Sequence, residues 1–261
     1  MNKQTFLTLL ATFALLFSFT FSCHAKGKDK AKHVVFIGLD GWGAYSLPKA
    51  DMPNVKKLME DGAYTLKKRS ALPSSSAINW ASMFMGAGPE LHGYTEWGSK
   101  TPELPSRVLN KNGIFPTVFQ LLRDARPEAE IGCLYEWEGI KYLVDTLSLS
   151  YHYHVADCNK TPKELGNMAS SYIKEKHPAL VAICYDGPDH TGHTAGHDTP
   201  EYYEKLKELD MYVGQIVQAV KDAGMLDDTI FILTSDHGGI DKGHGGKTCL
   251  LYTSDAADDR I

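Results

Sequence analysis

A short apolar segment constrains the fold of this chain more than any other part of its sequence. Residues 229–234, TIFILT, run directly into Ser235, Asp236 and His237, and two glycines follow. A run of β-branched and apolar residues is typical of a buried strand in a parallel sheet, and the glycines end it in a loop. Ligands of open α/β sheets bind beyond the carboxyl ends of the strands. We therefore expect Asp236 and His237 to take part in chemistry, with a solvated turn as the alternative.

The rest of the chain alternates between strand and helix signals. Apolar segments predict strands at 33–39, 131–135, 180–185 and 229–234. Amphipathic periodicity predicts helices at 53–62, 77–85, 117–124, 161–174 and 200–223. Strands separated by helices indicate an α/β fold, in which a parallel or mixed sheet is covered on both faces. The 261 residues, 43% of them apolar, are enough for one such domain.

Two further predicted strands end in residues that ligate metals. Asp40 follows the first strand, and Asp189 and His193 follow the strand that ends at Tyr185. The Asp-x-x-x-His spacing returns both side chains to one face of a helical turn. Carboxylate and imidazole donors together suit Zn²⁺. Together with Asp236 and His237, these strand ends predict a two-metal site. Two metal ions at such a site would bind the attacking and leaving oxygens of a displacement at phosphorus.

A serine-rich loop supplies a candidate nucleophile. Ser74, Ser75 and Ser76 immediately precede the predicted helix that begins at Ala77. The free N–H groups and the dipole of a helix N-terminus favour a phosphate, and a metal ion would lower the pKa of a serine hydroxyl there. The alternative is that these serines only cap the helix.

Four segments carry a family resemblance. In chain order they are FIGLDGWG, SSSAINWASMFMGAGPELHG, DGPDHTGHTAGH and TSDHGG. In these segments and their order, the chain resembles the alkaline phosphatase superfamily, close to its nucleotide pyrophosphatase/phosphodiesterase (type I phosphodiesterase) branch. The resemblance implies a three-layer α/β/α sandwich with a mostly parallel central sheet. It also implies a metal-dependent hydrolase of phosphate esters.

The resemblance further implies two divalent ions, for which Zn²⁺ is the expected metal. The ligands of one ion would be Asp40, Asp236, His237 and the oxygen of Ser76. The ligands of the other would be Asp189, His193 and a further histidine. We favour His244 for this last position, the alternatives being a histidine farther downstream or a role for His244 within its loop only.

The same resemblance selects the nucleophile among the serines. Family members place it three residues before the asparagine of a Thr-x-x-Asn-like loop, which here gives Ser76 before Asn79. Both are predicted to be catalytic. Ser76 would attack the phosphate ester and form a phosphoseryl intermediate, which water then hydrolyses.

One departure from the family pattern concerns the substrate. Phosphodiesterases of this branch carry an asparagine shortly after a His-Gly pair, whereas His92-Gly93 runs into Tyr94-Thr95-Glu96-Trp97. A nucleotide-like phosphodiester or pyrophosphate is the expected substrate. A phosphomonoester with the same core, and a non-catalytic or inactive truncated domain, are the alternatives. The net charge of −5 argues against duplex nucleic acid as a partner.

Some tryptophans, histidines and cysteines are candidates for other roles. Three tryptophans could stack on a nucleobase or an aryl group, but packing explains them more readily: Trp42, Trp80 and Trp97. His190 and His197 flank the predicted ligands and are expected to be solvated loop residues. Cys184 is expected to be a buried thiol, and Cys133 could pair with Cys158.

The N-terminal end of the chain is predicted to direct export. Residues 1–25 combine a positive start, an apolar run and a small-residue exit, as an export signal does. Cleavage after Ala25 and lipid attachment at Cys23 are alternatives, and residues 26–32 would form a lysine-rich tether. The protein would be periplasmic or extracellular, with no membrane span once the signal is removed.

The C-terminal end is predicted to be foreign to the fold. Residues 33–248 would form the catalytic domain, which we expect to be incomplete. Residues 249–261 resemble the translation of a sequencing-library adapter, and a genuine acidic tail is the alternative.

Overall fold

The apolar strand segments assemble into a seven-stranded sheet in the computed structural model, which describes residues 31–156 and 161–246 and the backbone of 253–256. The strands are β1 (His33–Leu39), β2 (Thr65–Arg69), β3 (Ile131–Tyr135), β4 (Tyr151–His154), β5 (Leu180–Tyr185), β6 (Thr229–Thr234) and β7 (Thr253–Ala256). Their order is β2-β7-β6-β1-β5-β3-β4. The five strands from β6 to β4 run parallel, and β7 is antiparallel to both of its neighbours.

Helices connect the parallel strands. They are α1 (Pro53–Asp61), α2 (Ser76–Met85), α3 (Pro89–His92), α4 (Val118–Ala125), α5 (Lys163–Lys176), α6 (Gly187–Ala195) and α7 (Pro200–Asp222). Single 3₁₀ turns occur at Glu138–Tyr142, Thr146–Ser148 and Leu226–Asp228. The five helices expected from periodicity are present, with ends that differ by at most two residues. Within the described ranges, none of the helices combines the length and apolar character that a membrane span requires.

The sheet carries a hydrophobic core on each of its two faces. Val35 and Ile37 of β1 pack in one core with residues of α5 and α7, and α1 adds Val55. Phe36, on the opposite side of β1, packs against the second core, which α2 and α4 cover. Because successive side chains of a strand alternate between the faces, one apolar strand serves both cores. The predicted α/β fold with helices on both sides is confirmed.

β6 corrects the prediction of a fully buried strand. Ile230 and Ile232 lie on one face and are 50% and 39% exposed, whereas Phe231 and Leu233 pack against the first core. The layer of α2 and α4 covers β1, β3 and β5, but no core residue on that face comes from β6 in the part of the chain that is described. The β-branched run marked the strand correctly, but it did not reveal that, among the described residues, only one of its faces packs against a hydrophobic core.

Several expectations fall on the ends of the chain. The predicted signal, the lipid-attachment site Cys23 and the cysteine at 158 lie outside the described residues. Cys133 and Cys184 are buried free thiols. The backbone of β7 pairs with β2 and β6, although it belongs to the segment 249–261 predicted to be foreign. The origin of that segment stays a prediction.

Replacing Gly38 by alanine tests how closely α2 packs on β1. A Cβ at Gly38 would lie 2.2 Å from Cη2 of the buried Trp80 ring. We expect Gly38→Ala to lower the free energy of unfolding by about 1–3 kcal/mol, because the core would be overpacked. Urea denaturation measures this change. Gly98→Ala, where no atom lies within 4 Å of the added carbon, is the control. Equal stability of the two variants would contradict this account of the packing.

Candidate functional site

The carboxyl ends of β6, β1 and β5 are neighbours in the sheet and bring most of the predicted site residues together. Asp40, Asp189 and His237 offer ligand atoms that all lie within 4.8 Å of one another. Asp189, His193 and His244 form a second group by the same measure. Asp189 belongs to both groups, so the two clusters share one carboxylate.

Asp236 lies beside the first group and is fully buried. Its Oδ1 accepts a hydrogen bond of 3.1 Å from the Gly41 N–H. Its Oδ2 lies 3.3 Å from His237 Nε2 and has no hydrogen-bond partner among the described residues. An orphaned, buried carboxylate oxygen is costly unless a cation or a proton satisfies it.

Ser76 is the first residue of α2, and its hydroxyl lies within the first group. Its Oγ lies 3.2 Å from His237 Nε2 and 3.4 Å from Asp40 Oδ1. Ser75 occupies the N-cap position but makes no side-chain capping bond. Capping of the helix therefore does not account for the position of the Ser76 hydroxyl.

Asn79 holds the loop that presents Ser76. Its Nδ2 donates to the carbonyls of Ser75 and Ala71, at 3.0 and 3.2 Å, and its Oδ1 accepts from the Ala71 N–H at 2.6 Å. These bonds occupy the amide group within the loop. They give Asn79 a positioning role, and its predicted catalytic role stays a prediction.

The histidines of the two groups share one pattern of hydrogen bonding. Nδ1 lies 2.9 Å from the Lys242 carbonyl in His193 and 2.9 Å from the Gly238 carbonyl in His237. In His244 it lies 3.1 Å from the Ser74 carbonyl. A carbonyl only accepts, so in the neutral ring Nδ1 carries the proton and Nε2 keeps its lone pair. Metal-ligating histidines are commonly oriented in this way.

Burial and close packing shift the pKa values of the carboxylates at this edge of the sheet. Burial and the charges of Asp236 and Asp189 raise the pKa of Asp40 well above its usual value. Burial also raises the pKa of Asp236 to about 7. Burial opposes ionisation of Asp189 too, but the hydrogen bond with His193 and the nearby imidazoles together outweigh it and lower the pKa of Asp189 to about 2. The same hydrogen bond raises the pKa of His193 to about 9. This donor set fits divalent cations, because positive charge is what these carboxylates require.

His197 corrects the expectation of a solvated loop residue. It is buried, with Nδ1 3.2 Å from the Asp241 carbonyl and Nε2 3.8 Å from Asp189 Oδ1. Neither His197 Nε2 nor Asp189 Oδ1 has a hydrogen-bond partner in the described parts of the chain. The ring fits only because of two glycines, since a Cβ at Gly192 or Gly239 would lie 2.2 or 2.1 Å from Nε2. His190 is exposed, as expected, but it lies within the helix Gly187–Ala195 and not in a loop.

Two residues that were not predicted from the sequence support the site. Trp80, expected to serve packing alone, also donates from Nε1 to Asp40 Oδ2 at 2.8 Å. Its position one helical turn after Ser76 was the available signal, because residues four apart share a helix face. Lys68 of β2 donates to the Ser235 carbonyl beside Asp236. That strand was not predicted, so no signal placed this lysine near the site.

Comparison with known proteins identifies the family. Residues 34–245 match the family described as type I phosphodiesterase / nucleotide pyrophosphatase. The chain therefore belongs to this family, and the predicted branch of the alkaline phosphatase superfamily is confirmed.

Curated relatives match across most of this chain. Bis(5′-adenosyl)-triphosphatase enpp4 of Mus musculus is 26% identical over 221 residues, which cover 80% of this chain and 48% of that protein. Ectonucleotide pyrophosphatase/phosphodiesterase family member 1 of the same species is 24% identical over 214 residues, which cover 78% of this chain and 24% of that protein. The chain thus spans at most about half the length of these relatives.

Solved structures confirm the fold. Murine ectonucleotide pyrophosphatase/phosphodiesterase 5, in complex with AMP, superposes with a TM-score of 0.60 at 19% identity. The match covers 79% of this chain and 57% of that one. A 2-O GAG sulfatase gives a TM-score of 0.63 at 13% identity and covers 87% of this chain and 64% of its own. The alkaline-phosphatase-like α/β architecture is therefore established.

Replacing Trp80 by phenylalanine tests the support of Asp40. The variant keeps an aromatic ring in the core but loses the N–H that holds Asp40 Oδ2. We expect its affinity for Zn²⁺ to fall by about 10–100-fold, as is typical when a partner of a metal ligand is removed. Competition with a chromophoric chelator measures the affinity.

Trp42→Phe is the matched control, because the Trp42 indole is equally buried and its Nε1 makes no hydrogen bond within the described residues. Equal Zn²⁺ affinity of the Trp80 variant and the wild type would show that the indole does not support the site.

Proposed function

We propose that this chain is a metal-dependent hydrolase of phosphate esters, acting as a phosphodiesterase or nucleotide pyrophosphatase with Ser76 as the nucleophile. The observation that carries the proposal is the placement of one serine hydroxyl at the start of α2, within 3.4 Å of both Asp40 Oδ1 and His237 Nε2. Membership of the type I phosphodiesterase / nucleotide pyrophosphatase family supports it.

The proposed cofactors are two divalent ions, with Zn²⁺ as the expected metal. We assign Asp40, Ser76, Asp236 and His237 to one ion. We assign Asp189, His193 and His244 to the other. The proximity of these donors and the buried, unpartnered oxygens of two of the carboxylates support the assignment. When bound, the ions would lower the pKa of the serine hydroxyl and neutralise the charge that develops on the phosphate.

The protein itself contributes positioning to this reaction. Attack by Ser76 Oγ forms a bond to phosphorus and breaks the bond to the leaving oxygen, and the proton that the serine gives up is balanced by the proton that the leaving group takes up. Hydrolysis of the phosphoseryl intermediate then restores the serine. Asn79 fixes the loop before Ser76, and Trp80 orients Asp40. The hydroxyl is thus held in place before the substrate arrives, which lowers the entropic part of the barrier.

A nucleotide-like substrate is the proposed substrate class. One relative is named a bis(5′-adenosyl)-triphosphatase, and a structural neighbour was solved with AMP. The Trp97 carbonyl accepts a 3.1 Å hydrogen bond from the Ala77 N–H, next to the nucleophile, while the Trp97 side chain is 67% exposed. Such an exposed indole offers a face on which a nucleobase can stack.

The loop that carries Trp97 is held firmly. The Glu103 carboxylate accepts hydrogen bonds from the Thr95 N–H at 2.7 Å and from Ser99 Oγ at 2.7 Å. Although desolvation raises the pKa of Glu103, these bonds lower it overall, so the carboxylate stays charged. A fixed loop loses little conformational entropy when a substrate binds.

Export from the cytoplasm also belongs to the proposal. The signal predicted at 1–25 supports it, and so does the description of two of the similar proteins as ectonucleotide enzymes.

Replacing Ser76 by alanine tests the nucleophile. We expect kcat for thymidine 5′-p-nitrophenyl phosphate and bis-p-nitrophenyl phosphate to fall by at least about 10³-fold, because no hydroxyl remains to form the covalent intermediate. Release of p-nitrophenol with Zn²⁺ present measures this. Ser74→Ala is the control, since its hydroxyl bonds to the Gly246 carbonyl instead. Unchanged activity of the Ser76 variant would exclude Ser76, and a preference for p-nitrophenyl phosphate would reassign the protein as a phosphomonoesterase.

Replacing Trp97 by alanine tests the stacking face. Two substrates with the same leaving group separate its effect from the chemistry: thymidine 5′-p-nitrophenyl phosphate and methyl p-nitrophenyl phosphate. We expect KM for the thymidine ester to rise by about 5- to 100-fold, the equivalent of stacking one base, and KM for the methyl ester to stay constant. Leu147→Ala, an exposed apolar residue elsewhere, is the control. Equal changes for both esters would rule out base stacking.

A further inference from the structure

The helix that presents two of the proposed metal ligands is weak by itself. α6 has nine residues, GPDHTGHTA, and includes two glycines. Helices this short are marginal in water, and glycine lowers their stability further. Asp186 occupies the N-cap position but makes no side-chain capping bond. The start of α6 therefore needs support from elsewhere in the fold.

Glu136, immediately after the neighbouring strand β3, supplies this support. It is the first residue after β3, and its N–H donates to the Cys184 carbonyl of β5 at 3.1 Å. Its Oε2 accepts a 2.7 Å hydrogen bond from the Asp186 N–H, and the Gly187 N–H also bonds to the carboxyl group. The Glu136 side chain, just beyond the end of β3, thus accepts the N–H groups that a capping residue of α6 would otherwise accept.

Other contacts fix Glu136 itself. The His154 ring, at the end of β4, donates from Nε2 to the Glu136 carbonyl at 2.9 Å. Glu136 Oε1 is buried and has no hydrogen-bond partner among the described residues. Burial raises the pKa of Glu136 to about 8. This side chain has little freedom to move away from the helix.

We propose that Glu136 is a positioning residue that clamps the first turn of α6, so that Asp189 and His193 present their ligand atoms to the proposed second ion. Asp189 follows the clamped Asp186 by three residues, within one helical turn, and His193 follows Asp189 by four. Asp189 Oδ2 lies 3.1 Å from His193 Nε2. Release of the first turn would let both ligands shift together. The inference rests on the proposed metal site but does not depend on which ester is hydrolysed.

The test compares three substitutions of Glu136 in the full-length protein. Glu136→Gln keeps an oxygen that can accept from the Asp186 N–H, whereas Glu136→Ala removes it. The readouts are bound zinc per chain and the dissociation constant of each Zn²⁺, obtained by chelator competition. We expect Glu136→Ala to lower the affinity for one of the two Zn²⁺ ions by about 10–100-fold. Glu136→Gln should stay within about threefold of the wild type. Glu136→Met, which keeps the side-chain length but not the oxygen, should lose as much affinity as Glu136→Ala, a difference that loss of packing alone would not produce.

Controls separate the clamp from general damage. Glu138→Ala, two residues on, removes an exposed carboxylate that pairs with Lys141 and should leave zinc binding unchanged. Circular dichroism verifies folding, and Glu136→Met, which keeps the side-chain length, replaces the alanine variant if that variant fails to fold.

The outcomes distinguish this inference from the proposed function. Wild-type zinc affinity in Glu136→Ala or Glu136→Met would overturn the clamp alone. Equal losses in the Gln and Ala variants would also overturn it, because a side-chain oxygen at this position would then not be enough to hold the first turn of α6. A wild-type protein that binds no divalent ion would overturn the clamp and the proposed metal site together.

Discussion

Mutual repulsion among three buried carboxylates is the constraint on which the rest of this site depends. The three carboxylates belong to three different parts of the fold and are all buried: Asp40 after β1, Asp189 in α6 and Asp236 after β6. Each is satisfied on one side by the protein: an indole N–H, an imidazole or a backbone N–H. Asp189 and Asp236 each keep one buried oxygen that has no hydrogen-bond partner among the described residues, and a cation or a proton is needed to satisfy it. The metal-dependent chemistry proposed for the chain follows from this arrangement.

The parallel sheet makes the crowding of these groups possible. β1 pairs with both β5 and β6, so the residues that follow the three strands emerge side by side. Gly41 lies so close to Asp189 that an added Cβ would be 2.7 Å from its side chain, and its φ of 67° suits glycine. Close approach of the backbone at this point lets the carboxylates meet. The sheet therefore sets the distances, and the loops supply the donors.

Most of the fold and the groups at its carboxyl edge could be predicted because they follow local rules. Strands were recognised from apolar runs, and Asp40 and Asp236 from their places at strand ends. Trp80 and Glu136 were missed as supporting residues because their roles depend on what lies opposite them in space. The exposed Ile230 could not be foreseen either, since composition marks a strand but not which of its faces a helix covers.

The orientation of the histidines depends on main-chain carbonyls, at Ser74, Lys242 and Gly238. A substitution changes a side chain but leaves the carbonyl in place. The residue at 242 is therefore free to vary without disturbing how His193 is turned, provided that the loop keeps its path, whereas the side chain at 74 also bonds to the Gly246 carbonyl. Substitutions in these loops can thus change the surface around the candidate metal site while the orientation of its histidine rings stays the same.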